Sequence, residues 1–199
     1  MKRNRFYSFA YIVLWPVIHF LFLPSVHGRE RIPDGRAVFC CNHSSNWDPL
    51  LIMVLAGFRH QLYAMAKVEI SHWPVVGWIL QKAGMIFVAR GKADIGAVKA
   101  AMKYLKNDQQ ILIFPEGTRV SEEESASAKG GVSMLAVRTG APIVPIYLES
   151  QKKLFHKTNI VFGEPYLPKV AGRKGTAEEY QNIADEALRR IYQLKEELP

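Results

Sequence analysis

Cysteine is almost missing from this chain: there are two, and they are neighbours, Cys40 and Cys41. Adjacent residues of an extended strand point to opposite faces, so a bridge between them would be strained. No disulfide framework is expected, which suits a reducing compartment. Paired C-x-x-C and H-E-x-x-H are both absent, so no metal centre is expected. There is no G-x-S-x-G nucleophile elbow and no G-x-x-x-x-G-K phosphate loop. Internal repeats and low-complexity tracts are missing too. Acidic residues are the minority, 18 against 26 Lys and Arg, for a formal charge of +8. That balance calls for an anionic partner, such as a phosphorylated substrate or a membrane surface. Nucleic acid fits least, since zinc-finger spacing, an RNP-like aromatic strand and a concentrated basic arm are all lacking.

The sequence does have a core's worth of apolar residues, 49% of 199, with 22% charged. One domain is the expectation. It also has one long apolar run, F-Y-S-F-A-Y-I-V-L-W-P-V-I-H-F-L-F-L (6–23), behind Lys2, Arg3 and Arg5. As a helix it would be about 27 Å long, near the thickness of a bilayer's hydrocarbon core. The following P-S-V-H-G lacks the small-x-small pattern of a cleaved signal. Trp15, Tyr7 and Tyr11 suit a headgroup interface, and the leading basic residues favour a cytoplasmic face. Residues 1–27 therefore read as a membrane-anchoring segment, interfacial or partly inserted, ahead of a globular domain over 28–199. A buried core helix, which Pro16 and His19 would also fit, is the competing reading.

Past Gly28, short apolar runs alternate with helical patterns. Strands are expected at 36–41, 61–66, 85–89, 111–114, 143–148 and 159–162. Helices are expected over 48–57, as short pieces broken at Pro74 within 67–84, over 94–106, over 129–140 and from 176 to 194. Asp94 should cap the 94–106 helix, with Ile95, Val98, Met102 and Leu105 on its buried face. Gly140 should end its helix, and Thr176 with Glu179 should form a capping box. The alternation indicates an α/β sandwich: a single domain with a largely parallel, mixed sheet flanked by helices.

In such folds, functional loops follow the carboxyl ends of strands. Three loops qualify: His43 to Asp48 after strand 36–41, Arg90 after strand 85–89, and F-P-E-G-T-R (114–119) after strand 111–114. A carboxylate on one imidazole nitrogen fixes the tautomer and frees the other nitrogen to take a proton. Five residues is too far for a one-turn helical pair, so Ser44, Ser45, Asn46 and Trp47 must fold Asp48 back onto His43. Arginines at strand ends can grip a phosphate with two bonds each. Base, orienter and anion clamp are thus all available. His43 and Asp48 alone supply too few ligands for a metal.

These stretches also carry a resemblance. N-H-S-S-N-W-D matches the N-H-x-x-x-x-D signature of the glycerolipid acyltransferases, and F-P-E-G-T-R is that family's third motif verbatim. G-M-I-F-V-A-R resembles the second motif, departing at Ala89, and A-P-I-V-P-I-Y-L, with Pro145, resembles the fourth. Within the family the chain is most similar to the bacterial 1-acyl-sn-glycerol-3-phosphate acyltransferases of PlsC type. The resemblance implies that His43 deprotonates the hydroxyl of lysophosphatidic acid, which attacks an acyl thioester directly to give phosphatidic acid. Asp48 would orient His43, while Arg90, Arg119 and Lys67 would hold the acceptor phosphate. Glu116, Gly117 and Thr118 would join the substrate site through the same motif, with bracing of the loop as the alternative for Glu116. Backbone N–H groups after His43 would serve the oxyanion. No cofactor is implied; acyl-CoA or acyl carrier protein is the donor substrate, and the site of action is the cytoplasmic face of a bacterial membrane. The alternatives are another acceptor (glycerol 3-phosphate, another lysophospholipid or a lyso-ornithine lipid), a non-catalytic lipid-binding relative, and a hydrolase using Cys41 or water.

Overall fold

The computed structural model describes residues 4–89, 94–119, 128–172 and 175–198. All six expected strands form: β2 (Ala37–Cys41), β3 (Leu62–Lys67), β4 (Ile86–Val88), β5 (Gln110–Ile113), β6 (Ile143–Leu148) and β7 (Thr158–Phe162). A seventh, β1 (Pro24–His27), falls inside the segment that the sequence assigns to the anchor. The sheet order is β1-β7-β6-β2-β5-β3-β4. Neighbours are parallel except β6 with β7, so the sheet is mixed and largely parallel, as expected.

β2 lies at the centre and every residue of it is buried. Alternation along the strand splits its side chains between two cores. Ala37, Phe39 and Cys41 face a core containing Leu51, Ile52 and Leu55 of α2 (Asp48–Leu55) and Ile18 and Phe22 of α1 (Arg5–Phe22). Val38 and Cys40 face the other core, which holds Leu105 of α4 (Ile95–Lys106), Leu135 of α5 (Gly131–Thr139) and Ile191 of α6 (Ala177–Gln193). The two cysteines are free and point to opposite sides of the sheet.

The helix signals hold with one correction. The 67–84 stretch breaks at Pro74 into a 3-10 turn, Val68–His72, and α3 (Val76–Lys82). Asp94 caps α4 through Ala97 N–H, at 2.9 Å. Thr176 and Glu179 form the capping box, and Gly140 ends α5 in the left-handed region at φ 63°. On α4, however, the buried face is Ala97, Ala101 and Leu105; Val98 and Met102 are partly buried and Ile95 is 66% exposed. Small alanines let this helix lie close to the sheet and to α5, so bulk did not mark the inward side.

Helix α1 lies along the body on one face only. Asn4 caps it and also donates to Lys82 O at 2.7 Å, while Leu62 N–H donates to the Tyr7 hydroxyl at 3.1 Å. Tyr7, Ile18 and Phe22 are buried, whereas Phe9, Ile12, Val13, Trp15, Val17 and Phe20 are exposed. Among the described residues it is the one helix long and apolar enough to cross a membrane. That outward apolar face does not fit a core helix.

Candidate functional site

The parallel ladder sets the site. β2 pairs with β5 on one side and β6 on the other, with Cys40 opposite Ile113 and Cys41 opposite Ile146. The chain leaving β2 therefore emerges beside the chain leaving β5, which puts His43 against the F-P-E-G-T-R loop. The His43 and Phe114 rings stack with centroids 4.1 Å apart. The His43 backbone N–H donates to Glu116 Oε2 at 2.8 Å.

The turn over 44–47 brings Asp48 back as the sequence expects. His43 Nδ1 lies 2.9 Å from Asp48 Oδ2, and the same oxygen accepts the Ser44 and Ser45 N–H groups at 2.7 and 2.8 Å. An ionised carboxylate only accepts, so the ring hydrogen sits on Nδ1 and Nε2 keeps its lone pair. Asp48 is completely buried at the start of α2, and the His43 side chain is 12% exposed. Burial pushes the Asp48 carboxyl up. The His43 hydrogen bond, the Lys152 charge and the Ser45 N–H together outweigh it and hold the group below the usual carboxylate range.

These contacts narrow the expectation that backbone N–H groups after His43 serve an oxyanion. The N–H groups of residues 43, 44 and 45 already serve Glu116 and Asp48, so they are not free to bind an oxyanion.

Glu116 is buried, with both carboxylate oxygens on protein donors: Oε2 on His43 N–H and Oε1 on the Tyr192 hydroxyl of α6 at 2.7 Å. Burial raises its carboxyl, opposed by those two hydrogen bonds. The contacts are those of a brace between the two motifs and the C-terminal helix. Gly117 sits at φ 69°, and a Cβ there would come within 2.7 Å of the Lys129 side chain. It supplies a backbone shape that other residues resist. Thr118 and Arg119 are exposed at the loop's outer end. Lys67 ends β3 on the same sheet edge and pairs with Glu69 at 3.2 Å. Arg90 lies outside the described residues; the strand before it, β4, runs parallel to β3 and ends on this edge. The structure thus joins His43, Asp48 and Glu116 by direct contact, with Lys67 at the end of β3 and Arg119 exposed on the 114–119 loop.

Three further residues hold the site, and the sequence reading did not single them out. Asn42 bonds to both backbone groups of Leu148, donating to its carbonyl at 2.8 Å and accepting its N–H at 2.9 Å. Tyr192 reaches Glu116 from the far end of the chain. Lys152, in the segment after β6, places its Nζ 2.9 Å from Asp48 Oδ1. Asn42 is the first residue of the N-H-x-x-x-x-D signature and a polar residue terminating a buried strand, but neither signal points to Leu148 as its partner. Lys152 gives none, since Q-K-K in a polar stretch looks like solvated charge.

The cysteines are poorly placed for nucleophilic chemistry. Both are buried, and burial drives both thiols far up, Cys41 with the Asp48 charge adding to it. A thiol held protonated is a weak nucleophile.

The sequence model of the family described as Acyltransferase matches residues 24–149, a span that contains both dyad residues and F-P-E-G-T-R. The chain is similar to the 1-acyl-sn-glycerol-3-phosphate acyltransferase of Bacillus subtilis, 28% identical over 179 residues, covering 87% of this chain and 88% of that one. It is 29% identical over 158 residues to a chloroplastic 1-acyl-sn-glycerol-3-phosphate acyltransferase of Arabidopsis thaliana, covering 76% of this chain and 43% of the relative. The chain thus spans less than half the length of the plant protein. Its fold is similar to the crystal structure of the 1-acyl-sn-glycerophosphate acyltransferase PlsC from Thermotoga maritima. There the TM-score is 0.68 and the identity 27%, over 96% of this chain and 78% of that one.

Proposed function

The chain belongs to the acyltransferase family, and from that premise we propose that it moves a fatty acyl group from an acyl thioester to the sn-2 hydroxyl of lysophosphatidic acid, giving phosphatidic acid. The observation that carries the reading is the buried His43–Asp48 pair, 2.9 Å apart and stacked against the F-P-E-G-T-R loop. His43 Nε2 takes the hydroxyl proton as the oxygen attacks the thioester carbonyl. The tetrahedral intermediate then collapses, the C–S bond breaks, and the imidazolium returns the proton to the leaving thiolate. No acyl-enzyme forms. The thioester is already activated, so a base and good positioning suffice. Arg119, Lys67 and Arg90 hold the acceptor's phosphate at the rim. The donor is acyl-CoA or acyl carrier protein, with no cofactor or metal taking part.

The lipid acceptor fits the surface. The exposed face of α1 continues through Phe6 onto Trp78 of α3, edge to face with centroids 5.6 Å apart, and through Phe20 onto Phe155, at 5.5 Å. Trp73, Val75, Leu154 and Phe155 are exposed beside it. So broad an apolar surface suits a protein lying in one leaflet, on the cytoplasmic face where its positive charge meets anionic lipid.

The test is a detergent-solubilised assay with both donor types and a panel of acceptors: lysophosphatidic acid, other lysophospholipids, glycerol 3-phosphate and a lyso-ornithine lipid. Lysophosphatidic acid should be acylated best. His43→Ala should stay folded and lose about 10²–10⁴-fold in rate, the usual share of a general base. Cys40→Ala/Cys41→Ala should keep its activity. A fully active His43→Ala, or a dead cysteine variant that remains folded, overturns the mechanism; a different best acceptor overturns the substrate.

A further inference from the structure

A lysine that no motif accounts for touches the oxygen of Asp48 that His43 does not use. The Lys152 side chain is 3% exposed, and its Nζ lies 2.9 Å from Asp48 Oδ1, 2.7 Å from Ser44 Oγ and 3.5 Å from Ser150 O. Burying an ammonium is costly unless an opposite charge and hydrogen bonds meet it. Here every partner belongs to the His43–Asp48 loop or to the segment that follows β6. Taking His43 as the base, the reading on which this step rests, we infer that Lys152 is a positioning residue for acyl transfer. It grips Oδ1 of Asp48 so that the carboxylate stays charged and its Oδ2 stays aimed at His43 Nδ1.

The fold delivers Lys152 to this place. β6 runs parallel to β2, and the Asn42 side chain extends that pairing by one rung onto Leu148. Beyond it the Ser44 hydroxyl donates to Ser150 O at 3.4 Å. The chain then turns, with Lys152 N–H on Ser150 O at 3.2 Å, and the side chain folds back onto Ser44 and Asp48. Ser44 Oγ accepts from Lys152 while donating to Ser150, so both sides of the loop are tied. With its ammonium covered and engaged in this way, Lys152 is not placed to bind an acceptor's phosphate.

The charge count explains what the lysine does. Oδ2 takes three donors, from His43, Ser44 and Ser45, whereas Oδ1 faces Lys152. With Lys152 present, the resting pair of Asp48 and Lys152 is neutral. The imidazole then accepts a proton in the transition state and gives it up again to the thiolate. Without the lysine, an uncompensated buried carboxylate would hold that proton on the ring. Among the described residues, the other ionisable groups around the pair are Glu116 with Tyr192 behind it, and Cys41 beneath; none of these is a cation.

The experiment uses the full chain with Lys152→Met, Lys153→Met, Asp48→Asn and the Asp48→Asn/Lys152→Met double variant. Lys152→Met should lower kcat by about 10- to 100-fold, the scale of a lost outer partner, with both KM values little changed. The acid limb of kcat/KM should move to higher pH. Lys153→Met, changing the exposed neighbour, should behave as wild type. In the double variant, removing the lysine should cost little beyond Asp48→Asn alone, because the partner is already neutral. That arm decides the matter even if Lys152→Met alone fails to fold. An unchanged kcat, a loss of kcat with an unmoved acid limb, or full additivity in the double variant overturns the role. An active wild type with an indifferent Lys152→Met overturns Lys152 alone. A wild type inert towards every thioester and acceptor overturns the acyl-transfer reading and the lysine's part in it together.

Discussion

Asp48 takes three hydrogen bonds on Oδ2 and an ion pair with Lys152 on Oδ1 while losing all contact with solvent. Its carboxyl is held below its ordinary value near 3.8. For an acid lowered on folding, the unfolded chain binds the proton first as pH falls. The stability it contributes is therefore complete above about pH 5 and lost on the way down through the folded value. Acid unfolding followed by circular dichroism should show this slope below pH 4 in wild type and a flatter limb in Asp48→Asn. An identical limb in both would mean that Asp48 is not the group responsible. Glu116, raised rather than lowered, contributes with the opposite sign, its share fading as pH rises. At this scale the sequence was readable where a motif has a fixed spacing, His43 to Asp48, and blind where contact depends on tertiary pairing. Lys152 is 104 positions from Asp48, and only the β2–β6 ladder makes them neighbours.

Elements were the most legible level, because a buried strand must be a short apolar run and a helix end must satisfy its own N–H and C=O groups. The Thr176–Glu179 box, the Asp94 cap and the Gly140 stop could all be placed from residue chemistry. β1 escaped because Pro24, Ser25 and His27 show neither alternation nor a continuous apolar run, and the strand is only half-buried. The α4 face is hard to read from side-chain size, because its inward residues Ala97 and Ala101 are small while Ile95 points outward. Ile95→Ser should change stability by less than about 0.5 kcal/mol, as an exposed substitution. Ala101→Leu, at a site with no exposure, should cost about 1–3 kcal/mol by overpacking against the sheet. Urea melts of the two variants check the assignment; the reverse order would restore the Ile95 face.

For the molecule as a whole, α1 is both an outer apolar surface and a structural wall. Deleting it would strip Tyr7, Ile18 and Phe22 from the body, so lost membrane binding after deletion would be ambiguous. Substituting outward residues is cleaner. Phe9→Ser and Phe20→Ser should each weaken sedimentation with anionic vesicles by about tenfold, from roughly 1.5 kcal/mol of apolar burial, with the melting temperature kept. Undiminished sedimentation would place the membrane contact elsewhere. The apolar run was plain in the sequence, but its one-sided packing was not, because nearly all its residues are apolar and no stripe stands out. The rung that Asn42 makes with Leu148 spans 106 positions, and that distance has a meaning in time. A growing chain has His43 and Asp48 long before it has β6, so during synthesis the histidine and its carboxylate wait without the strand that seats their cation. On the proposed reading, acyl transfer by the growing chain would have to wait until most of the polypeptide has been made.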